Sequence, residues 1–317
     1  MQYFKLYFAG LILLMAGALT AQQDAQYTQF MYNKLGFNPA YAGAPTSTQV
    51  QAVIRQQWLG LNDAPSSQIA TLNTPLTANR AGFGARLSRV TVGLEQQYNV
   101  EGAYAYRVPL GRGSRLGMGI SASARYFNIE YQNANPVQGG GQDAAIPGAT
   151  ESKVVPNFGA GIYVDGLNYY VGISVPRLLQ NDIDLGSEET IISREARHFY
   201  FMGGVTFNIN DNLKLEPQML AKYVTGAPFD ADFNVTAYVG PSLFGGVSYR
   251  LGGNGAGESA SVLFGTYLSD HISMCLAYDL GLSDLKSSQS GSVELAVGYS
   301  FGGRATGDVV DPRELLR

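Results

Sequence analysis

Near its end the chain reads GSVELAVGYSF, residues 291–301, and alternates without error. Val293, Leu295, Val297, Tyr299 and Phe301 fall on one face, and Ser292, Glu294, Ala296, Gly298 and Ser300 on the other. A period of two is that of a strand with one apolar and one polar side. The pattern recurs over 98–108, where Tyr98, Val100, Tyr104, Tyr106 and Val108 oppose Asn99, Glu101 and Arg107. It recurs again with Leu116, Met118, Ile120, Ala122, Ala124 and Tyr126 against Gly117, Gly119, Ser121, Ser123 and Arg125. Phe199, Phe201, Val205, Phe207 and Ile209 line up in the same way, as do Leu213, Leu215, Met219 and Tyr223 against Lys214, Glu216, Gln218 and Lys222.

A soluble sandwich alternates too, so the connections decide. They alternate in length: tight turns at 110–114, 165–168, 210–212, 240–242 and 269–271, and long polar connections at 132–152, 177–197, 252–258 and 281–290. Short turns on one side and long loops on the other describe an all-β, up-and-down antiparallel transmembrane barrel of about 14 strands between residues 47 and 301. Tyr126, Tyr131, Tyr249 and Phe301 suit the aromatic girdles of such a barrel. Pro217 falls inside a strand pattern, where its missing donor predicts a bulge or a shifted register.

Upstream, Lys5 and the apolar run 6–19, ending in Thr20 and Ala21, read as a secretory signal peptide over 1–21. No other apolar run is long enough for a membrane helix. Gly 39, Tyr 20, Phe 15 and only 15% charged residues suit strands over helices. A net charge of -4 gives no electrostatic case for nucleic acid, and a single cysteine, Cys275, excludes an intramolecular disulfide.

Little in the chain suggests chemistry or a cofactor. The two histidines, His198 and His271, stand far apart, and GYSFG at 298–302 matches a nucleophile elbow only inside an alternating strand, where that motif cannot work. Asp230, Asp232 and Asn234 share one face but lack the glycine and glutamate of a calcium loop, so they read as lumen wall. No metal site is expected. Arg55, Glu101, Arg107, Arg125, Lys214, Glu216, Lys222, Asp230, Asp232, Arg250 and Glu294 all fall inward by parity, as does Cys275. Their mixed signs predict an internal network of ion pairs rather than an ion-selective pore.

Residues 22–46 have no hydrophobic period, yet QYTQFMYNKLGFNPAYAG at 26–43 is crowded with aromatic rings and amides. Barrels of this size enclose space, and such a segment, starting on the same side as the first strand, predicts a plug or a periplasmic docking strip. Gly36, Pro39 and Gly43 break regular structure within it.

At these residues the chain resembles the PorP/SprF family of type IX secretion system membrane proteins of the Bacteroidota. The resemblance rests on Gln29, Phe30, Met31, Tyr32 and Asn33 with Asn38, Pro39, Ala40, Tyr41, Ala42 and Gly43, followed by Arg55, Gln56, Gln57 and Trp58. Ser248, Tyr249 and Arg250, and Tyr278 and Asp279 leading to 291–294, resemble its C-terminal half. The resemblance implies a non-enzymatic outer-membrane barrel of the type IX secretion and gliding machinery. Its implied partners are a secreted adhesin with a type IX C-terminal domain and a periplasmic lipoprotein or peptidoglycan-binding protein. Both termini are then expected in the periplasm, with 302–317 as a tail beyond the pattern usual for the family. The competing readings are a diffusion porin or small-molecule transporter, which needs an open, asymmetrically charged constriction, and an outer-membrane hydrolase, for which no Ser, His and acid constellation is visible.

Overall fold

A computed structural model describes residues 26–76, 80–131, 150–183, 195–252, 258–282 and 289–302. Among the described residues fifteen strands form one antiparallel sheet, in sequence order except that β8 and β9 both pair with β10. They are β1 (Gln49–Gln56), β2 (Ser66–Leu76), β3 (Ala81–Val92), β4 (Glu95–Gly111), β5 (Ser114–Ile129), β6 (Glu151–Asp165), β7 (Tyr169–Val175), β8 (His198–Val205), β9 (Phe207–Asn210), β10 (Leu213–Val224), β11 (Asp230–Val239), β12 (Leu243–Leu251), β13 (Ser259–Tyr267), β14 (Ile272–Gly281) and β15 (Ser292–Ser300). β1 pairs with β15 and β10 with β11, so the sheet closes on itself. β8 and β9 are one strand interrupted at Thr206, which makes a closed barrel of 14 staves, the number expected from the sequence. No described helix is long and apolar enough to cross a membrane.

Pro217 produces neither a bulge nor a slip. β10 keeps one register from Leu215 opposite Phe207 to Gln218 opposite Gly204, and Pro217 is paired with Val235 on its other side. In this register Val205, the last residue of β8, stands opposite Pro217, so the missing donor falls where β8 gives way to β9.

Parity sorts the side chains as the alternation requires. Val100, Ile120, Val262, Phe264 and Leu276 point outward, with Ile120 65% exposed. A continuous band of such side chains is stable only against lipid, and Tyr126, Tyr249 and Phe301 stand exposed in it. Arg107, Glu294, Asp232 and Asn234 point inward and are buried. The tight turns lie together on one rim, and the strand ends that the long connections join lie on the other, which also carries the short β3–β4 and β10–β11 turns.

The wall is uneven. β7 pairs with β6 only over residues 160–165, so residues 151–159 of β6 have no strand beside them on that side. The β7–β8 connection covers this edge: Leu178 donates to the Phe158 carbonyl (2.8 Å), Leu179 to Asn157 Oδ1 (3.0 Å), and Asn181 Nδ2 to the Pro156 carbonyl (2.8 Å). Capping an open edge in this way gives partners to backbone groups that the missing strand would otherwise leave unpaired along the wall.

The core is the lumen. Residues 26–44 run through it as a chain of short turns, Phe30–Tyr32, Lys34–Phe37 and Pro39–Tyr41, nearly all of them buried. One contiguous cluster joins Phe30, Leu35, Phe37 and Tyr41 of this segment to Tyr200 and Met202 on one wall and Cys275 and Ala296 on another. The wall meets the segment at lumen-facing glycines. A Cβ on Gly82 would collide with Gly43 and the Ala42 carbonyl, one on Gly119 with the Ala40 backbone, and one on Gly161 with the Asn38 side chain. Replacing Gly119 by valine is therefore expected to abolish the folded barrel, since overpacking against backbone has no side chain to move. Ala122→Val, on the lipid face of the same strand, is expected to leave it intact. Loss of the heat-modifiable gel shift in the first variant and its retention in the second would check this.

Candidate functional site

The segment is held by polar bonds at both ends of the lumen. At the long-loop end, where β1 and β15 close the barrel, the Glu294 carboxylate accepts the backbone N–H groups of Thr28 (2.9 Å) and Gln29 (2.8 Å). Gln29 Nε2 donates to the Glu294 carbonyl, 3.0 Å. Arg55 bridges Glu294 (3.0 Å) and Asp279 (2.6 Å), and Thr28 Oγ1 donates to Asp279 at 2.8 Å. Beside this group, Arg250 pairs with Asp232 at 2.5 Å, and Lys222 lies 3.4 Å from Asp232 and 3.5 Å from Asp230. Gln26 bonds to Asp230 (3.0 Å) and accepts from Arg250 (3.3 Å). The segment therefore does not begin on the periplasmic side, where the first strand begins, which is what the sequence predicts. Gln26 lies among the long-loop ends of β11 and β12, and the chain descends from there to the opposite rim.

At the short-turn end the bonds run to carbonyls. Arg107 donates to Ala40 (3.0 Å) and to the Ala42 carbonyl, and Arg115, paired with Asp165, donates to Ala44 (3.0 Å). Gly43, at φ +70, donates to Asn73, whose Nδ2 returns a bond to the Tyr41 carbonyl at 3.3 Å. Between the two ends, Asn38 caps its own turn through Ala40 N–H (2.9 Å) and donates to the Ile162 carbonyl (3.0 Å), while Pro39 begins that turn. Tyr41 meets Tyr163 edge-on at 5.5 Å, and buried Lys34 sits 3.6 Å above the Tyr170 ring. Phe30 and Asn33 are buried, and Met31 and Tyr32 pack against the core.

Of the sequence-predicted candidates, Phe30, Met31, Tyr32, Asn33, Asn38, Pro39, Tyr41 and Gly43 come together in the lumen, and Trp58 does not. Trp58 stands at the long-loop rim at φ +48, its N–H donating to Ser292 Oγ at 3.2 Å. Arg55, Lys222, Asp230, Asp232, Arg250 and Glu294 form the upper network, Glu101 pairs with Arg86 (3.2 Å), and Glu216 accepts from Tyr238 (3.0 Å). Lys214 shares the inward parity but lies exposed at the short-turn end of β10. Asp279, Arg86 and Arg115 also belong to these networks. Asp279 follows Cys275 and Ala277 in parity and was open to the same reading. Lys34 and Glu195 carry no periodic signal.

Above the segment the long-loop rim opens into a cleft of about 390 Å³. Its floor is Tyr27, Asn33, Gly36 and Phe37, and its walls are the inward faces of β3 and β4, Trp58 with Pro65, and the β7–β8 connection. Glu195 of that connection pairs with Arg125 and with Arg177 (3.2 Å) and accepts from Asn157 (2.7 Å), which fastens the wall. No described group of His, Cys, Asp and Glu could hold a metal ion.

The profile of the family described as "Type IX secretion system membrane protein PorP/SprF" matches residues 19–299. The chain belongs to that family. Membership and barrel together make this PorP/SprF protein an outer-membrane protein of type IX secretion. A search of curated proteins returns no match. Among solved structures, the PorP/SprF barrel is similar to the CymD monoaromatic hydrocarbon channel, with 12% identity, 87% of this chain and 93% of that one covered, and a TM-score of 0.52. It is also similar to a Pseudomonas aeruginosa FadL homologue, with 12% identity, 84% and 94% coverage and a TM-score of 0.46. A third is Omp33 of Acinetobacter baumannii, with 9% identity, 82% and 100% coverage and a TM-score of 0.44. At these identities the likeness is one of fold.

Removing one member of a buried ion pair leaves an uncompensated charge, at a cost of about 3–5 kcal/mol. Arg55→Met is expected to lower stability by that order, because it strands both Glu294 and Asp279. A urea titration of the detergent-solubilised barrel, read by tryptophan and tyrosine fluorescence, checks it against Lys214→Met, for which a shift near zero is expected.

Proposed function

We propose that this barrel is a non-enzymatic anchor. Its long-loop mouth holds the C-terminal domain of a secreted adhesin at the cell surface, and its short-turn rim joins a periplasmic lipoprotein or peptidoglycan-binding partner. The observation that carries the reading is the filled lumen: a contiguous core that includes Phe30, Phe37 and Tyr41 occupies the space a conduit would need, and the described cleft opens on the long-loop rim. A barrel filled in this way serves as a rigid mount between two surfaces rather than as a passage. The short turns are assigned to the periplasm by the rule of such barrels. β15 ends at that rim, and the tail over 302–317, which beyond Gly302 lies outside the described residues, is assigned to the periplasmic contact. The long connections 132–152 and 177–197 are the candidates for the outside contact; their parts 132–149 and 184–194, like the signal peptide 1–21, lie outside the described residues.

Two measurements test this reading. The protein isolated from native outer membrane in mild detergent is expected to retain a large secreted polypeptide and a periplasmic protein, identified by mass spectrometry. In planar bilayers the purified barrel is expected to add no steady conductance. A lone barrel with stable, ion-conducting steps would replace the anchor by a porin.

A further inference from the structure

The chain holds one tryptophan, Trp58, and sets it at the lip of the mouth cleft in an unfavourable backbone conformation. Its φ of +48 lies in the left-handed region, which costs a bulky L residue free energy and persists only where the surroundings impose it. Here they do. Trp58 N–H donates to Ser292 Oγ (3.2 Å), and its carbonyl accepts from Leu61 (3.1 Å). The next residue is fixed on both sides, Leu59 N–H on the Gly291 carbonyl and Ser290 N–H on the Leu59 carbonyl, each 2.8 Å. The β1–β2 connection is thus strapped to the β14–β15 connection, and the indole is left 37% exposed at the cleft wall. Strained residues of this kind cluster at ligand sites.

The rest of the wall narrows the chemistry. Gln57, Ser66, Ser88 and Asn99 line the cleft half-buried, and among the described residues their side chains carry no hydrogen bond. Ser88 and Asn99 stand opposite each other on β3 and β4, close enough to hold one group between them. From β1, which ends beside Trp58, to β4 is about 14 Å, three strand spacings. The charges of this wall are matched among themselves. Arg86 pairs with Glu101 (3.2 Å), Arg125 and Arg177 share Glu195, and Glu95 accepts from Gln97 at 2.7 Å. Three guanidiniums thus face three carboxylates, and an ion gains little from so balanced a wall. An extended polypeptide finds no strand edge to pair with on β3 or β4, since both are paired along both sides. What remains is a neutral molecule with many hydroxyls and apolar ring faces. A saccharide is such a molecule: the C–H face of a sugar ring covers an indole while its hydroxyls bond amides and serines. The cleft, at about 390 Å³, is within the size range of specific ligand sites.

We propose that the mouth cleft binds a short neutral oligosaccharide, one ring lying on Trp58 and the hydroxyls of its neighbours on Gln57, Ser66, Ser88 and Asn99. A barrel mouth at the cell surface meets such sugars from two sources, the polysaccharide of the outer-leaflet lipid and glycans carried by secreted proteins. The site stands on the cleft alone and does not depend on the anchor reading.

Because Trp58 is the single tryptophan, its emission reports on this site directly. The full-length protein, in a detergent without a sugar headgroup, is titrated with two probes: neutral oligosaccharides released from the lipopolysaccharide of the source cells, and neutral glycans released from their secreted proteins. A saturable change in emission is expected with one of the two, and the probe that produces it identifies the source. The double variant S88A/N99A, with its heat-modifiable band unchanged, is expected to raise the apparent Kd at least about tenfold, the loss of two hydrogen bonds. Three results would each overturn the proposal: no saturable change with either probe, a change that S88A/N99A leaves as it was, or a change abolished by added salt, which would mark a charged ligand.

Discussion

Two backbone N–H groups, those of Thr28 and Gln29, end on one carboxylate, Glu294, and that carboxylate belongs to the strand that meets the first strand of the barrel. The rest of the interior follows from this kind of bond. A chain without regular structure carries a donor and an acceptor at nearly every residue, and inside a barrel it has no bulk water to satisfy them. The wall must therefore supply partners, which is why so many lumen side chains are charged or amide-bearing. Arg55, itself paired with Asp279, in turn holds Glu294, so the seam between first and last strands is fastened through the same group that receives the segment.

The opposite end solves the complementary problem. There the segment offers carbonyls, and the partners are Arg107 and Arg115, which have only donors. Carboxylates meet N–H groups at the top and guanidiniums meet carbonyls at the bottom, so the segment has one polarity and one depth in the barrel. Between them glycines of β3 and β5 let backbone pack on backbone and Gly161 of β6 admits the Asn38 side chain, with aromatic rings filling the remaining width. The result is an interior that resembles a globular core more than a channel, and a mouth cleft whose floor is made of the segment itself.

The barrel was legible because membrane strands obey a strict period of two, and the turn lengths added the closure. Arg55, Asp232 and Glu294 were legible as lumen residues by the same parity, without any hint of their partners. The glycines at 117 and 119 read as a polar face, yet their purpose is contact with Ala40, which no local pattern encodes. The direction of the segment was misread for a physical reason. Sequence adjacency to β1 fixes where residue 44 lies but not residue 26, and the turns at 30–41 carry the chain the full depth of the lumen. Glu195 and Arg177 lie in a connection, where no periodicity exists to place a side chain.

The most direct measurement is hydrogen exchange of the folded barrel in detergent, resolved to the peptides covering residues 27–43. If the segment is core, its amides exchange as slowly as those of β1 and β15. Exchange within minutes while the strands stay protected would show that the segment leaves the lumen, and the filled barrel would have to be given up.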